Sequence, residues 1–137
     1  MSKTVRFVMN LKDEVIKASD EAVNRGLEAI GMEAVTMAFR STEKGGTPVK
    51  TGNLRNSITW AVADKHGGGK QGQGGLSEPL GTPDDKTLVI GSNVEYARVI
   101  EEGGYGRHAY HMLRNALNDG KDRYEKIMKA ALEADKP

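Results

Sequence analysis

The spacing of apolar residues changes near the start of the chain. Val5, Phe7 and Met9 fall on one side of an alternating pattern, which predicts a short strand that needs a sheet to join. From about Leu11 to Arg40, apolar residues recur every three, four or seven positions, which predicts one amphipathic helix of about 28 residues. The apolar stripe of this helix consists of Ile16, Val23, Leu27, Ile30, Ala34 and Met37.

Small residues run beside that stripe and allow a close contact with another backbone. Ala22, Gly26 and Ala29 lie at helical spacing, and a glycine inside a helix costs up to about 1 kcal/mol relative to alanine. One interpretation is helix packing within a subunit. The other is a packing surface between subunits.

Two β-branched segments predict a hairpin with a long tip. Residues 58–63 and 87–91 are apolar and bounded by polar residues, so we expect two antiparallel strands. The residues between them, 64–86, are called the insert below. It is rich in glycine, and its large apolar residues are Leu76 and Leu80, so we predict a flexible loop that becomes ordered on binding. Before the first strand, Thr51 is placed to cap a short helical turn.

The C-terminal third predicts a short helix and then a long one. Ser92 and Glu95 have the spacing of a capping box, which opens a helix over residues 94–102. Apolar and small residues then repeat in steps of four and three over residues 109–134. Gly120 lies on this stripe, either as a break or as a point of close approach on the buried face. The uninterrupted period favours one helix.

These elements predict a single α+β domain over residues 1–137. A small antiparallel sheet with the long Gly-rich hairpin is packed by the long N-terminal helix, the short helix and the long C-terminal helix. In the core we expect mutual contact among Leu54, Ile58, Tyr96 and Ile100, with Trp60 on a neighbouring face.

Composition excludes several classes of protein. The 137 residues include no cysteine, which excludes disulfide scaffolds, thiol catalysis and Cys-ligated zinc. The net charge of +1 is unlike that of a protein that coats DNA. Every apolar run is shorter than the roughly 18–20 residues of a membrane span. We therefore expect a soluble protein made in the cytoplasm, without a membrane partner.

Candidate catalytic and ligand-binding residues do not combine into a site. His108 and His111 could bracket a metal, but they lack the spacing of zinc hydrolases and a third ligand. The Gly-rich tract lacks the order of a phosphate-binding loop. Glu101 and Glu102 are adjacent and point apart on a helix, which favours solvated charges over an acid–base pair. Basic residues are scattered, without interleaved aromatics. We predict no catalytic, cofactor or metal site.

Three segments in this order resemble one family of phage proteins. Residues 48–58 read Pro-Val-Lys-Thr-Gly-Asn-Leu-Arg-Asn-Ser-Ile, residues 89–103 read Val-Ile-Gly-Ser-Asn-Val-Glu-Tyr-Ala-Arg-Val-Ile-Glu-Glu-Gly, and residues 112–117 read Met-Leu-Arg-Asn-Ala-Leu. After a long helix, they are similar to the HK97 gp10-like family of tailed-phage neck and tail-completion proteins. The chain departs from the family pattern at residues 101–104 and 108–113.

The resemblance implies a structural virion protein that forms a ring, commonly a hexamer, at the head–tail junction. The implied partners are the protein itself, a head-completion or connector protein, and the tail tube protein. DNA would pass through the lumen. The alternatives are a non-viral nucleic-acid-binding or regulatory domain and a metal-dependent hydrolase. We predict an assembly interface that includes Thr51, Asn53, Arg55, Lys70, Leu76, Tyr96 and Glu101. Arg55 is expected to bind a carboxylate such as that of Glu95 or Glu101.

Overall fold

The chain folds as an α+β domain around a four-stranded antiparallel sheet. The computed structural model describes residues 5–10, 19–40, 42–47, 54, 57–63, 65–68, 83, 86–92, 97–104, 106 and 108–134. None of the helices in these ranges combines the length and hydropathy of a membrane span.

The sheet places the two strands of the predicted hairpin at its centre. The strands are β1 (Val5–Asn10), β2 (Thr59–Val62), β3 (Lys65–Gly67) and β4 (Thr87–Ser92), in the order β1-β4-β2-β3. Trp60 pairs with Ile90, and Phe7 pairs with the same residue from the other side. The predicted strand over residues 5–9 and the predicted antiparallel pairing are both confirmed.

Four α-helices pack with the sheet. They are α1 (Asp20–Ala38), α2 (Ala97–Glu102), α3 (Met112–Asp119) and α4 (Lys121–Ala134), and a 3-10 helix (Thr42–Lys44) follows α1. Helix α1 contacts β2 and β4 on one side and both α3 and α4 on the other. It is therefore the element through which the C-terminal helices are joined to the sheet.

Helix α1 begins later than its periodicity predicts. The Ser19 backbone is extended, and its Oγ accepts a hydrogen bond from the Ala22 N–H at 3.1 Å, so Ser19 is the N-cap. Asp20, which interrupts the apolar stripe, lies in the first turn, where a negative charge is favourable. The predicted start at Leu11 is wrong for this helix, and residues 11–18 lie outside the described ones.

The core forms between α1 and one face of the sheet. Ile58 and Leu27 are fully buried, and Leu54 and Trp60 belong to the same cluster. Trp60 was expected on a neighbouring face, but it shares a side with Ile58 because the two residues are two positions apart in extended chain. Ile100 packs against the cluster only partly buried, and Tyr96 lies outside the described residues.

The small residues of α1 pack within the subunit. A Cβ added at Gly26 would lie 2.6 Å from Met128 Sδ in α4, and one added at Gly31 would lie 2.9 Å from the Trp60 side chain. These two glycines therefore let α4 and β2 approach the backbone of α1 from different directions. At Gly26, the first of the two sequence interpretations is confirmed.

The insert begins with a strand that the sequence does not predict. Ala63 adopts φ +49°, and the chain then turns back so that β3 pairs with β2, with Val62 opposite Lys65. The Trp60 Nε1–H donates to the Gly68 carbonyl at 2.8 Å. The expectation of a loop throughout 64–86 is therefore wrong at residues 65–67. Residues 69–82 lie outside the described ones, and their predicted mobility stays a prediction.

The predicted C-terminal helix is two helices joined at Gly120. Gly120 has φ −99° and ψ 6°, away from helical values, and it separates α3 from α4. A Cβ at Gly120 would collide with the Tyr124 ring, so the close approach predicted at this glycine is confirmed. The prediction of one uninterrupted helix is wrong, because the chain bends where the Tyr124 ring lies over the glycine.

Candidate functional site

The three segments that carry the family resemblance meet at one place, which we call the motif junction. Ser57 comes from the first segment, Ser92 and Glu101 from the second, and the start of α3 from the third. Ser57 Oγ and Ser92 Oγ are 2.5 Å apart, and the Ser57 hydroxyl also lies 2.6 Å from the Leu54 carbonyl, which accepts a hydrogen bond from it. Both serines are buried, so this contact joins the end of β4 to the turn before β2.

Ser92 does not have its predicted role at the motif junction. The sequence indicates that it caps the short helix, but Ser92 is the last residue of β4. Its hydroxyl contacts Ser57, and α2 begins at Ala97. Residues 93–96, which include Glu95 of the expected capping box, lie outside the described ones.

Glu101 caps α3 from the end of α2. Its Oε1 accepts from the Leu113 N–H at 2.7 Å, and its Oε2 accepts from the Arg114 N–H at 3.2 Å. The first turn of a helix has N–H groups without partners inside the helix, and a carboxylate also interacts favourably with the helix dipole there. The Tyr110 and His111 N–H groups donate to the Ile100 and Glu101 carbonyls, so α2 and α3 are joined by side chain and backbone together.

Two expectations for Glu101 are wrong. The residue was expected to be a solvated helix charge and to lie in the assembly interface, where its carboxylate would bind Arg55. The structure leaves 1% of Glu101 exposed, and both of its carboxylate oxygens accept backbone hydrogen bonds inside the subunit. Burial raises the pKa of the Glu101 carboxyl above its ordinary value, while the two N–H donors act in the opposite direction. Glu101 therefore stabilises the subunit from within.

Glu102, the neighbour of Glu101, points to solvent. Its Oε2 lies 3.2 Å from Arg98 Nε, one helical turn away, and both side chains are about half exposed. The expectation that adjacent glutamates do not share a site is confirmed. Sequence alone did not indicate which of the two is buried.

The two histidines of the third segment adopt local structural positions. The His108 ring packs edge-on against the Tyr110 ring at a centroid distance of 4.9 Å. His111 has φ +51° and precedes α3 as its N-cap residue without a side-chain capping bond. Among the residues that the structure describes, no three His, Asp or Glu side chains are grouped so as to hold a metal ion.

An ion pair between α1 and α4 was not expected from the sequence. Glu33 is 3% exposed on α1, and its Oε1 contacts Arg123 Nη1 of α4. The partners are 90 positions apart, and a glutamate on a helix looks the same in sequence whether it is buried or exposed. Only the position of Glu33 among apolar neighbours of α1 gives a signal, and it is weak.

The remaining predicted interface residues lie outside the described part of the chain. These residues are Thr51, Asn53, Arg55, Lys70, Leu76 and Tyr96. Their role in assembly stays a prediction. What the described geometry does show is that Ser57, Ser92 and Glu101 hold the three motif segments in one fixed arrangement.

A comparison with protein families identifies the same group as the motifs. The family described as "Bacteriophage HK97-gp10, putative tail-component" matches residues 3–103, which is most of the chain and includes Ser57, Ser92 and Glu101. Neither a curated protein nor a solved structure shows significant similarity to the chain. The chain belongs to the HK97-gp10-like family and is a structural component of a bacteriophage tail.

Proposed function

We propose that the chain is a ring-forming subunit at the junction of head and tail. In this proposal, copies of the chain, six in the expected ring, close head to tail and complete the end of the tail. One side of the ring contacts a head-completion or connector protein, and the other contacts the tail tube protein. The subunit is made in the host cytoplasm, acts without catalysis or cofactor, and lets DNA pass through its lumen without specific binding.

The match of residues 3–103 to a family of phage tail components is the observation that carries this proposal. The motif junction lends it physical support. Polar side chains that could serve chemistry are instead bound to backbone and to one another, as at Ser57, Ser92 and Glu101. A subunit whose motif residues fix its own shape can present a constant surface to neighbouring subunits.

The exposed face of α4 supports weak contact with nucleic acid. Basic and acidic side chains alternate along it, at Lys121, Asp122, Arg123, Glu125, Lys126, Lys129 and Glu133. Affinity for DNA grows with the number of phosphates that cations neutralise, and interleaved carboxylates oppose that neutralisation. A surface of this kind suits a channel in which DNA slides.

Self-assembly is the first test. The purified protein should elute with a mass, by light scattering, that is a multiple of the 14.8 kDa subunit, and electron microscopy should show closed rings. Ring contacts depend on protein concentration, so the larger species should grow as concentration rises. Open filaments or a monomer at every concentration would contradict the ring.

Arg55 allows a sharper test of the interface. A guanidinium binds a carboxylate through two parallel hydrogen bonds, which a lysine ammonium cannot reproduce. Arg55→Lys should therefore weaken assembly while the subunit melts at nearly the same temperature. Arg114→Lys, at another exposed arginine, is the matched control and should assemble as the wild type does. Equal assembly of both variants would remove Arg55 from the interface.

DNA binding separates the ring from a nucleic-acid-binding domain. We expect only weak binding of random-sequence duplex, lost at about 150 mM salt, where exposed charges are screened beyond about 8 Å. A gel-shift titration measures this directly. Tight binding that persists at this salt concentration, or preference for one sequence, would favour the nucleic-acid-binding alternative.

A further inference from the structure

Helix α4 is attached to α1 by a thin seam. Of its fourteen residues, only Tyr124 is buried, while Ile127, Met128 and Leu132 are partly buried against the core. The seam is shaped by Gly26, where Met128 lies against the backbone of α1. The Glu33–Arg123 ion pair crosses the same seam, with Arg123 mostly exposed. All these contacts join α1 to α4, and they depend little on which chain supplies α4.

The connection between α3 and α4 has the features of a hinge. Gly120 bends the chain, and a cleft of about 310 Å³ opens beside it, lined by Met37 of α1 and by Gly120 and Arg123. The Tyr124 hydroxyl crosses the bend and donates to the Ala116 carbonyl at 2.5 Å. That hydrogen bond holds the bent form, because it joins residues on the two sides of Gly120.

The sequence is also compatible with a straight form. Leu113, Leu117, Gly120, Tyr124, Ile127 and Ala131 keep the period of one continuous helix through the bend. Glycine adopts helical angles at a modest cost, so one helix from Met112 to Ala134 requires only a change of backbone angles at Gly120. A straight helix would direct α4 away from the α1 beneath it.

We propose that α4 is exchanged between neighbouring copies of the chain, so that α4 of one subunit packs on α1 of the next. The occupant of the α1 seam is then a second copy of the same helix, with the same Met128 against the same Gly26. The interactions that α4 gives up inside its own subunit form again between two subunits, which is why exchange of an identical element is a low-cost route to association. Each subunit gives one helix and receives one, so the exchange closes into a ring.

This inference rests on the proposed self-assembly, and it concerns a part of the chain beyond residues 3–103, which the family match covers. The test uses disulfides, for which the absence of native cysteines is an advantage. Gly26→Cys combined with Met128→Cys places two thiols across the seam. Isotope-labelled and unlabelled protein are mixed one to one before assembly, oxidised, digested and analysed by mass spectrometry.

If α4 is exchanged, about half of the 26–128 disulfide peptides in the assembled fraction should join a labelled to an unlabelled chain, as random neighbours in a ring require. Ser57→Cys combined with Ser92→Cys is the control, because this contact lies within the subunit and away from α4. Its disulfides should all join chains of one label.

The outcomes separate this inference from the proposed function. Rings in which every 26–128 disulfide joins one chain to itself would overturn the exchange and leave the ring intact. A protein that is monomeric at every concentration would overturn both.

Tyr124→Phe provides a second route if the cysteine variants do not fold. It keeps the ring over Gly120 and removes the hydroxyl that holds the bend. The exchanged, larger species should then form at a lower protein concentration than in the wild type. An unchanged or higher assembly concentration would contradict the hinge.

Discussion

The motif junction and the α4 seam attach helices to the same domain by different means. At the motif junction, α3 is held by a buried carboxylate and by three buried apolar residues among eight, Met112, Leu113 and Ala116. At the seam, α4 has one buried residue among fourteen. Hydrogen bonds to backbone specify direction and register, whereas half-buried apolar contacts do not. The first region fixes the shape of the subunit, and the second leaves a helix available for exchange.

The largest difference between the regions should appear when the same side chain is shortened in each. Ile58→Ala removes a fully buried side chain and should lower the free energy of unfolding by about 2–5 kcal/mol. Ile127→Ala shortens a partly buried side chain on α4 and should cost about 1 kcal/mol. Urea unfolding measures both. Equal costs would show that the seam is as tightly packed as the core.

Removal of the Glu101 carboxylate tests the polar side of the comparison. Glu101→Ala leaves the Leu113 and Arg114 N–H groups without their acceptor and should cost about 1–3 kcal/mol. Glu102→Ala is the matched control one residue away, where we expect a change within about 0.5 kcal/mol. Similar melting of the two variants would mean that water replaces the carboxylate at the start of α3.

The pH dependence of stability should carry the signature of Glu101. Its pKa is raised on folding, so the folded state binds the proton more tightly, and the contribution of this group to stability falls as pH rises through and above about 4.5. Glu101→Gln does not titrate and serves as the reference. From about pH 4 to pH 7, the unfolding free energy of the wild type should fall relative to that of the variant. A relative increase would show that the two N–H donors outweigh burial.

The smallest effect is expected at the surface beside the hinge. Arg40 Nη2 lies 3.0 Å from Asp119 Oδ2, which joins the end of α1 to the end of α3, and the Asp119 side chain is about half exposed. Asp119→Asn should cost no more than about 0.5 kcal/mol, and the difference should vanish in about 1 M salt. A larger cost that is independent of salt would place this ion pair among the contacts that hold the bend.

Local spacing predicted most of the sheet and the core, because each depends on residues close in sequence. The strands around Trp60 and Ile90 and the buried stripe from Val23 to Ala34 follow directly from periodicity. The motif segments also predicted the family. What they did not predict is their purpose at Glu101, since a buried and an exposed glutamate in adjacent helical positions differ only through distant partners.

The errors arose where tertiary contacts override local preference. Strand β3 has the sequence Lys-His-Gly, which has no strand signal, and it forms by pairing with β2 and lying beside Trp60. The bend at Gly120 is invisible to a periodicity that continues through it. At Ser19, a capping residue ended a helix that the apolar stripe alone would have extended.

The position of Trp60 gives the protein an intrinsic fluorescence reporter. It is the single tryptophan in the chain, its indole is almost fully buried, and its N–H donates to the Gly68 carbonyl at the base of the insert. Emission therefore comes from one site, beside the strand that leads into residues 69–82. A ligand or neighbouring subunit that draws β3 away from Trp60 would expose the indole to water and shift its emission to longer wavelength, so docking at the insert can be followed in real time without an added dye.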